Sequence, residues 1–175
     1  MGKNELFFCM NSIAESLEFS EKTLNLKKTD GGYFGISHMV LLACVFDMLG
    51  NICLSFEGKK AGTGKGFKYI QSNYINGENY GFSDDEFYEI FYKIYRCGLV
   101  HEGSIKPSNF IIYNYTEDTI AFTKNKNGVE INIPALLAMA KKVFEQIKTK
   151  YKLNIQVPSF GNITGNSEDN QTIIE

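Results

Sequence analysis

The chain has 175 residues, 43% hydrophobic and 22% charged, a balance that suits one folded domain able to bury its own core. A formal net charge of −2 and a pI near 5.8 exclude a globally basic nucleic-acid coat and leave room only for a local basic patch. Cys9, Cys44, Cys53 and Cys97 stand inside apolar helical patterns with no CxxC pair, so they read as reduced core thiols in a reducing cytosol, and no metal or cofactor is called for.

The opening residues carry neither a secretory signal nor an N-myristoylation signal, because Leu6 stands where that signal wants Ser or Thr. From Asn4 to Leu24, Leu6, Met10, Ile13, Leu17 and Leu24 recur at helical intervals and predict an amphipathic helix. Thr29 to Gly32 is a loop, and a second helix, apolar on most sides, spans about Ile36 to Phe56 at the centre of a bundle. Its apolar run from Met39 to Phe46 ends at Asp47, too short for a bilayer core of about 30 Å. The expectation is therefore a soluble, cytoplasmic protein with no membrane contact.

The Gly/Lys-rich stretch from Glu57 to Gly66 invites a phosphate-loop reading and fails it. Five residues past Gly58 stands Thr63, Gly66 follows Lys65, and the preceding segment reads as helix rather than strand. What remains is a flexible basic loop whose Lys59, Lys60 and Lys65, with Lys68 beyond, are candidate contacts for a nucleic-acid backbone. A short helix from about Phe67 to Ile75 follows.

Ser83-Asp84-Asp85-Glu86 matches a capping box, with acidic residues in the first helical turn. It predicts a helix from Ser83 to about His101, carrying Phe87, Ile90, Phe91, Ile94 and Gly98 on one stripe; those aromatics read as core rather than as a base-stacking platform. Beyond Pro107 the texture turns to β. Phe110 to Tyr115, Thr119 to Thr123 and Val129 to Ile133 read as two successive hairpins, and Leu153 to Val157 as a further candidate strand. Pro134 suits the first turn of a last helix running to about Tyr151. The fold class is thus mainly α, a helical bundle with a small antiparallel β-hairpin insert before the last helix. Residues 1–157 form the single domain and 158–175 a flexible tail.

The chemistry-bearing residues converge on one place. The chain holds 17 lysines and a single arginine, so Arg96 marks a position where a guanidinium is specifically wanted. Five residues on stands His101, one of only two histidines; the other, His38, lies alone on an apolar helix and reads as a satisfied core residue. An α-helix places residues five apart about 140° from each other, so Arg96 and His101 do not share one helical face. A two-fold pairing of chains would bring both into one cleft.

This Arg-x4-His pattern near the end of a late helix resembles the HEPN superfamily, helical-bundle proteins of toxin–antitoxin, abortive-infection and CRISPR-associated systems identified by an R-x4-6-H motif. The similarity covers roughly Ile36 to Lys152 as a pattern of helices. It implies a homodimer that binds RNA and cleaves it without a metal ion, with Arg96 and His101 as catalytic residues and an antitoxin or defence protein as a possible partner. Cys97 stands where active members of the superfamily carry a polar residue, and Gly103 where some carry Tyr. The alternative that these departures favour is a non-catalytic helical module that dimerises or binds a partner protein, with Arg96 tied to a buried carboxylate such as Asp47.

Overall fold

A computed structural model describes residues 3–29, 33–62, 64–93, 111–115, 118–125 and 128–155. In chain order they form α1 (Lys3–Thr23), α2 (Gly35–Phe56), α3 (Lys65–Tyr74), a 3-10 turn (Gly77–Tyr80), α4 (Asp84–Phe87), β1 (Ile111–Asn114), β2 (Phe122–Asn125), β3 (Gly128–Asn132) and α5 (Ile133–Lys150). The protein is mostly helical, with a two-stranded antiparallel hairpin immediately before its last helix, as the apolar periodicities predict.

Helix α2 is the centre of the bundle because it is apolar nearly all round: Met39, Leu42, Phe46, Leu49 and Cys53 are fully buried, and α1, α3 and α5 all pack on it. The sequence argument against a membrane span undercounts this helix. It continues through Asp47 to a length of 22 residues, and an 18-residue stretch within it has a mean hydropathy of 2.0, long and apolar enough by composition to cross a bilayer. Here most of that surface is turned inward against the other helices.

Glycine sets the closest approach in the bundle. Gly66, in the first turn of α3, lies against the α2 backbone at Asp47 to Asn51, where an added Cβ would come within 2.7 Å of the Asn51 amide nitrogen. Between the two helices the chain turns through a Schellman closure, Lys59 N–H to Leu54 O at 2.8 Å and Gly58 N–H to Ser55 O at 3.1 Å, with Gly58 at φ +67°. The Gly62 amide then donates to the Asn51 side chain. Among its described residues, the loop expected to be flexible is anchored at both ends.

The capping box is present in half its form. The Glu86 carboxylate accepts from the Ser83 amide at 2.8 Å, and α4 starts there. Only one α turn follows. Residues 88–93 wind as a π-helix rather than the uninterrupted α-helix expected from Ser83 to His101. Packing accounts for the wider winding. It turns Phe87, Phe91 and Tyr92, spaced by four and five residues, toward Phe67 of α3, with ring centroids at 4.7, 5.8 and 5.6 Å. Phe46 of α2 meets Phe67, Phe87 and Phe91 edge-on, and Phe122 of β2 closes the same aromatic cluster.

The β insert holds one of the two expected hairpins. β2 and β3 pair antiparallel, Phe122 opposite Ile131 and Asn125 opposite Gly128. β1 does not pair with β2; it runs parallel to β3, giving the order β1-β3-β2. Just before β2 the Ala121 amide donates to Tyr80 O, while its carbonyl accepts from the Asn132 amide of β3. The candidate strand near Leu153 does not form over residues 153–155; Leu153 and Ile155 pack against the core instead. Pro134 sits in the first turn of α5, as its missing N–H allows.

Candidate nucleic-acid interface

Arg96 and His101 lie outside the described residues, as does Cys97. The structure describes the chain up to Lys93, three residues before the arginine, and the four lysines proposed as backbone contacts.

Those lysines divide into two groups. Lys59, just past the end of α2, is committed: its ammonium is 2.8 Å from Glu57 Oε2, and Lys150 at the end of α5 stands 3.6 Å from Oε1 of the same carboxylate. The Tyr69 hydroxyl also donates to Glu57. Lys59 and Tyr69 together pull the Glu57 carboxyl down to about 2. Burial and the Glu57 charge push the Tyr69 phenol up. Beneath this cluster, Cys53 approaches the Tyr74 hydroxyl at 3.9 Å, and burial pushes its thiol up. A thiol so placed is a weak nucleophile, which agrees with its reading as a core cysteine. Phe56 and Tyr151 stack over the same end of the bundle, centroids 4.3 Å apart.

The second group lies on α3 and on the segment that follows α4. Lys65 and Lys68, three residues apart and both exposed, follow Gly64, which enters the helix at φ +75°. Lys68 places its ammonium 4.6 Å from the centre of the Tyr88 ring, and Lys93 places its own 5.8 Å from the same ring. Tyr88 in turn stacks on Tyr92 at 5.0 Å and 11°. Glu89 pairs with Lys93 at 2.6 Å and holds its ammonium above the usual range. Lys60, in the loop between the two groups, is exposed.

The aromatic run before Arg96 serves mainly as core. Phe87 and Phe91 are fully buried, and Tyr88 has its faces occupied by Tyr92 and the lysine ammoniums rather than open to a base. Sequence reasoning missed Lys93; its position three residues before Arg96 was the available signal.

His38 is the satisfied core residue that its apolar surroundings suggest. It is 2% exposed, with Nε2 3.0 Å from Thr23 Oγ1 and Nδ1 3.5 Å from the Tyr115 hydroxyl. Thr23 spends its one hydroxyl proton on Phe19 O at 2.7 Å. Both ring nitrogens thus have hydroxyl partners, and the backbone carbonyls of Ser20 and Phe34 also accept from the ring. Burial lowers the His38 pKa, so the neutral ring is the form this network holds. Asp47, the carboxylate considered as a partner for Arg96, is buried at 8% exposure on α2. Among the described residues, no three His, Cys, Asp or Glu side chains gather as metal ligands. The phosphate-loop reading fails in three dimensions too, because α2 precedes the Gly/Lys loop where that motif needs a strand.

No family model, curated protein or solved structure matches this chain.

Proposed function

We propose that this protein is a HEPN-like RNA-binding protein that cleaves RNA without a metal ion, acting as a homodimer in a toxin–antitoxin or phage-defence setting. The observation that carries the reading is the chain's one arginine standing five residues before a histidine. The neighbouring features are compatible with it. Up to Lys93 the chain is held by Phe87 and Phe91 in the aromatic core, and Lys68 and Lys93 gather at Tyr88.

The chemistry needs only these side chains and the substrate's own 2′-hydroxyl. The neutral His101 imidazole takes the 2′-hydroxyl proton as the oxygen attacks the adjacent phosphorus. The Arg96 guanidinium holds the phosphate oxygens as charge builds on them. A 2′-O–P bond forms and the P–O5′ bond breaks, the leaving oxygen acquiring a proton, to give a cyclic phosphate and a 5′-hydroxyl.

The test is cleavage of single-stranded RNA, and growth arrest on expression, by wild type, Arg96→Lys and His101→Ala, with thermal melts as a fold control. Arg96→Lys loses most activity because it keeps the charge but not the planar fork. His101→Ala loses about a hundredfold to ten-thousandfold. Chelator leaves the wild type unaffected. Inactive wild type, or variants that match it, would sink the ribonuclease reading.

A second reading, a non-catalytic module that binds another protein, draws on α1. Phe8 and Phe19 are 70% and 50% exposed, and their spacing of eleven residues puts them on one helical face, about 20° apart. Inactive wild type that still forms a stable complex would select this reading.

A further inference from the structure

We infer that Lys68 and Lys93, gathered on the Tyr88 ring, form with Lys65, one turn before Lys68 on α3, a phosphate-binding surface for a single RNA strand. The inference rests on the RNA reading above and adds to it which lysines hold the strand. It also excludes one that sequence alone would include.

Lys59 and Lys150 share the Glu57 carboxylate, which also accepts from the Tyr69 hydroxyl, leaving one positive charge among these groups, whereas Lys65, Lys68 and Lys93 set against Glu89 leave two. The α3 face is different. Lys65 and Lys68 are exposed, and no acidic side chain stands in the first turn of α3. Lys93 arrives from a different element, yet its ammonium and that of Lys68 meet at one aromatic ring, 5.8 and 4.6 Å from its centre. The two charges are therefore no more than about 10 Å apart, a span of roughly two or three phosphates along a stacked strand. Like charges so gathered repel one another, and the π face of Tyr88 offsets part of that repulsion. An incoming phosphate would relieve the rest. Glu89 stands 2.6 Å from Lys93 and competes with the phosphate for that ammonium.

Tyr88 acts here through the lysines and not by stacking on a base, since Tyr92 covers it. The surface should thus be indifferent to sequence and sensitive to salt, the signature of backbone contact.

The test measures binding of a mixed-sequence 2′-O-methyl RNA 12-mer, which lacks the free 2′-hydroxyl, to the full chain from 50 to 200 mM KCl. Lys68→Ala and Lys93→Ala should each weaken binding about five- to tenfold at low salt and lower the slope of log Kd against log salt by about 1. Lys141→Ala, which removes a lysine paired with Glu21 on the far side of the bundle, serves as the control and should leave both unchanged. Glu89→Gln should tighten binding about two- to fivefold by freeing Lys93, a gain that a merely structural role for Glu89 would not produce. Wild type that binds, with Lys68 and Lys93 variants that bind equally and keep its slope, overturns this inference alone. Wild type that fails to bind the RNA overturns the RNA reading with it. Poly-glutamate bound as tightly as RNA, with the same lysine dependence, overturns the assignment of this surface to RNA.

Discussion

Gly50 of α2 and Gly66 of α3 meet backbone to backbone, so closely that a Cβ on Gly50 would overlap the Gly66 carbonyl oxygen. That contact lets Phe67, the next residue of α3, reach Phe46 and the rings of residues 87–92. Gly50→Ala cannot be absorbed by a rotamer change, because the obstacle is main chain. It should destabilise the fold by about 3 kcal/mol or more, or prevent folding at 37 °C. Urea denaturation of Gly50→Ala beside wild type measures this. A midpoint unchanged within error would show that the two helices separate freely.

The His38 network makes stability depend on acid. Its folded pKa lies below the ordinary value of 6.5, so between the two the unfolded chain binds more protons than the folded one. Stability is therefore full above pH 6.5 and falls as the pH drops below it, levelling once the folded ring also protonates. Tm measured from pH 7.5 to 5 should fall for wild type and fall less steeply for His38→Gln. Parallel curves for the two proteins would remove His38 as the cause.

Glu57 titrates in the opposite region of the scale. Its folded value of about 2 lies below its ordinary 4.5, so its contribution is present above pH 4.5 and is lost as the pH falls toward 2. The group is exposed at the bundle end, and salt should screen its ion pairs. A carboxyl-carbon NMR titration should place its midpoint near 2. Lys59→Ala and Tyr69→Phe should each move it back toward 4.5. A wild-type midpoint at 4.5 would mean that Lys59 and Tyr69 do not hold the carboxylate in solution.

Assembly is testable apart from chemistry. If the α-helix expected from the sequence holds at Arg96 and His101, they stand about 140° apart, and a cleft that uses both is simplest to build across a two-fold axis. Sedimentation at micromolar concentrations should give twice the chain's 19.8 kDa. A cysteine-specific crosslink between copies carrying Gly103→Cys would then place the motif at the interface. A monomer mass over that range would discard the composite cleft.

How much of this was legible in the chain differs from element to element. The apolar spacing from Leu6 to Leu17 announced α1, and the residues apolar on nearly every side of α2 announced a central helix, because burial against neighbours is written in which faces can tolerate water. Glu86 three residues after Ser83 and Pro134 after Asn132 marked two helix starts, since both act through bonds within a few residues. His38 was readable as core for the same local reason, though its partners Thr23 and Tyr115 were not, one lying 15 and the other 77 residues away. The pairing of β1 with β3 rather than β2 joins residues 18 apart in the chain, such as Ile111 and Val129, which hydrophobic alternation alone does not pair. The π winding of residues 88–93 depended on Phe67, which arrives from another helix to take three rings at once. The division of the lysines was hidden for the same reason. Lys59 and Lys68 look equivalent as letters, and only packing sets one beside Glu57 and the other beside Tyr88 and Lys93. Local hydrogen bonds and hydrophobic period are properties of neighbouring residues, whereas the balance of charge at a surface is a sum over elements that only tertiary structure brings together.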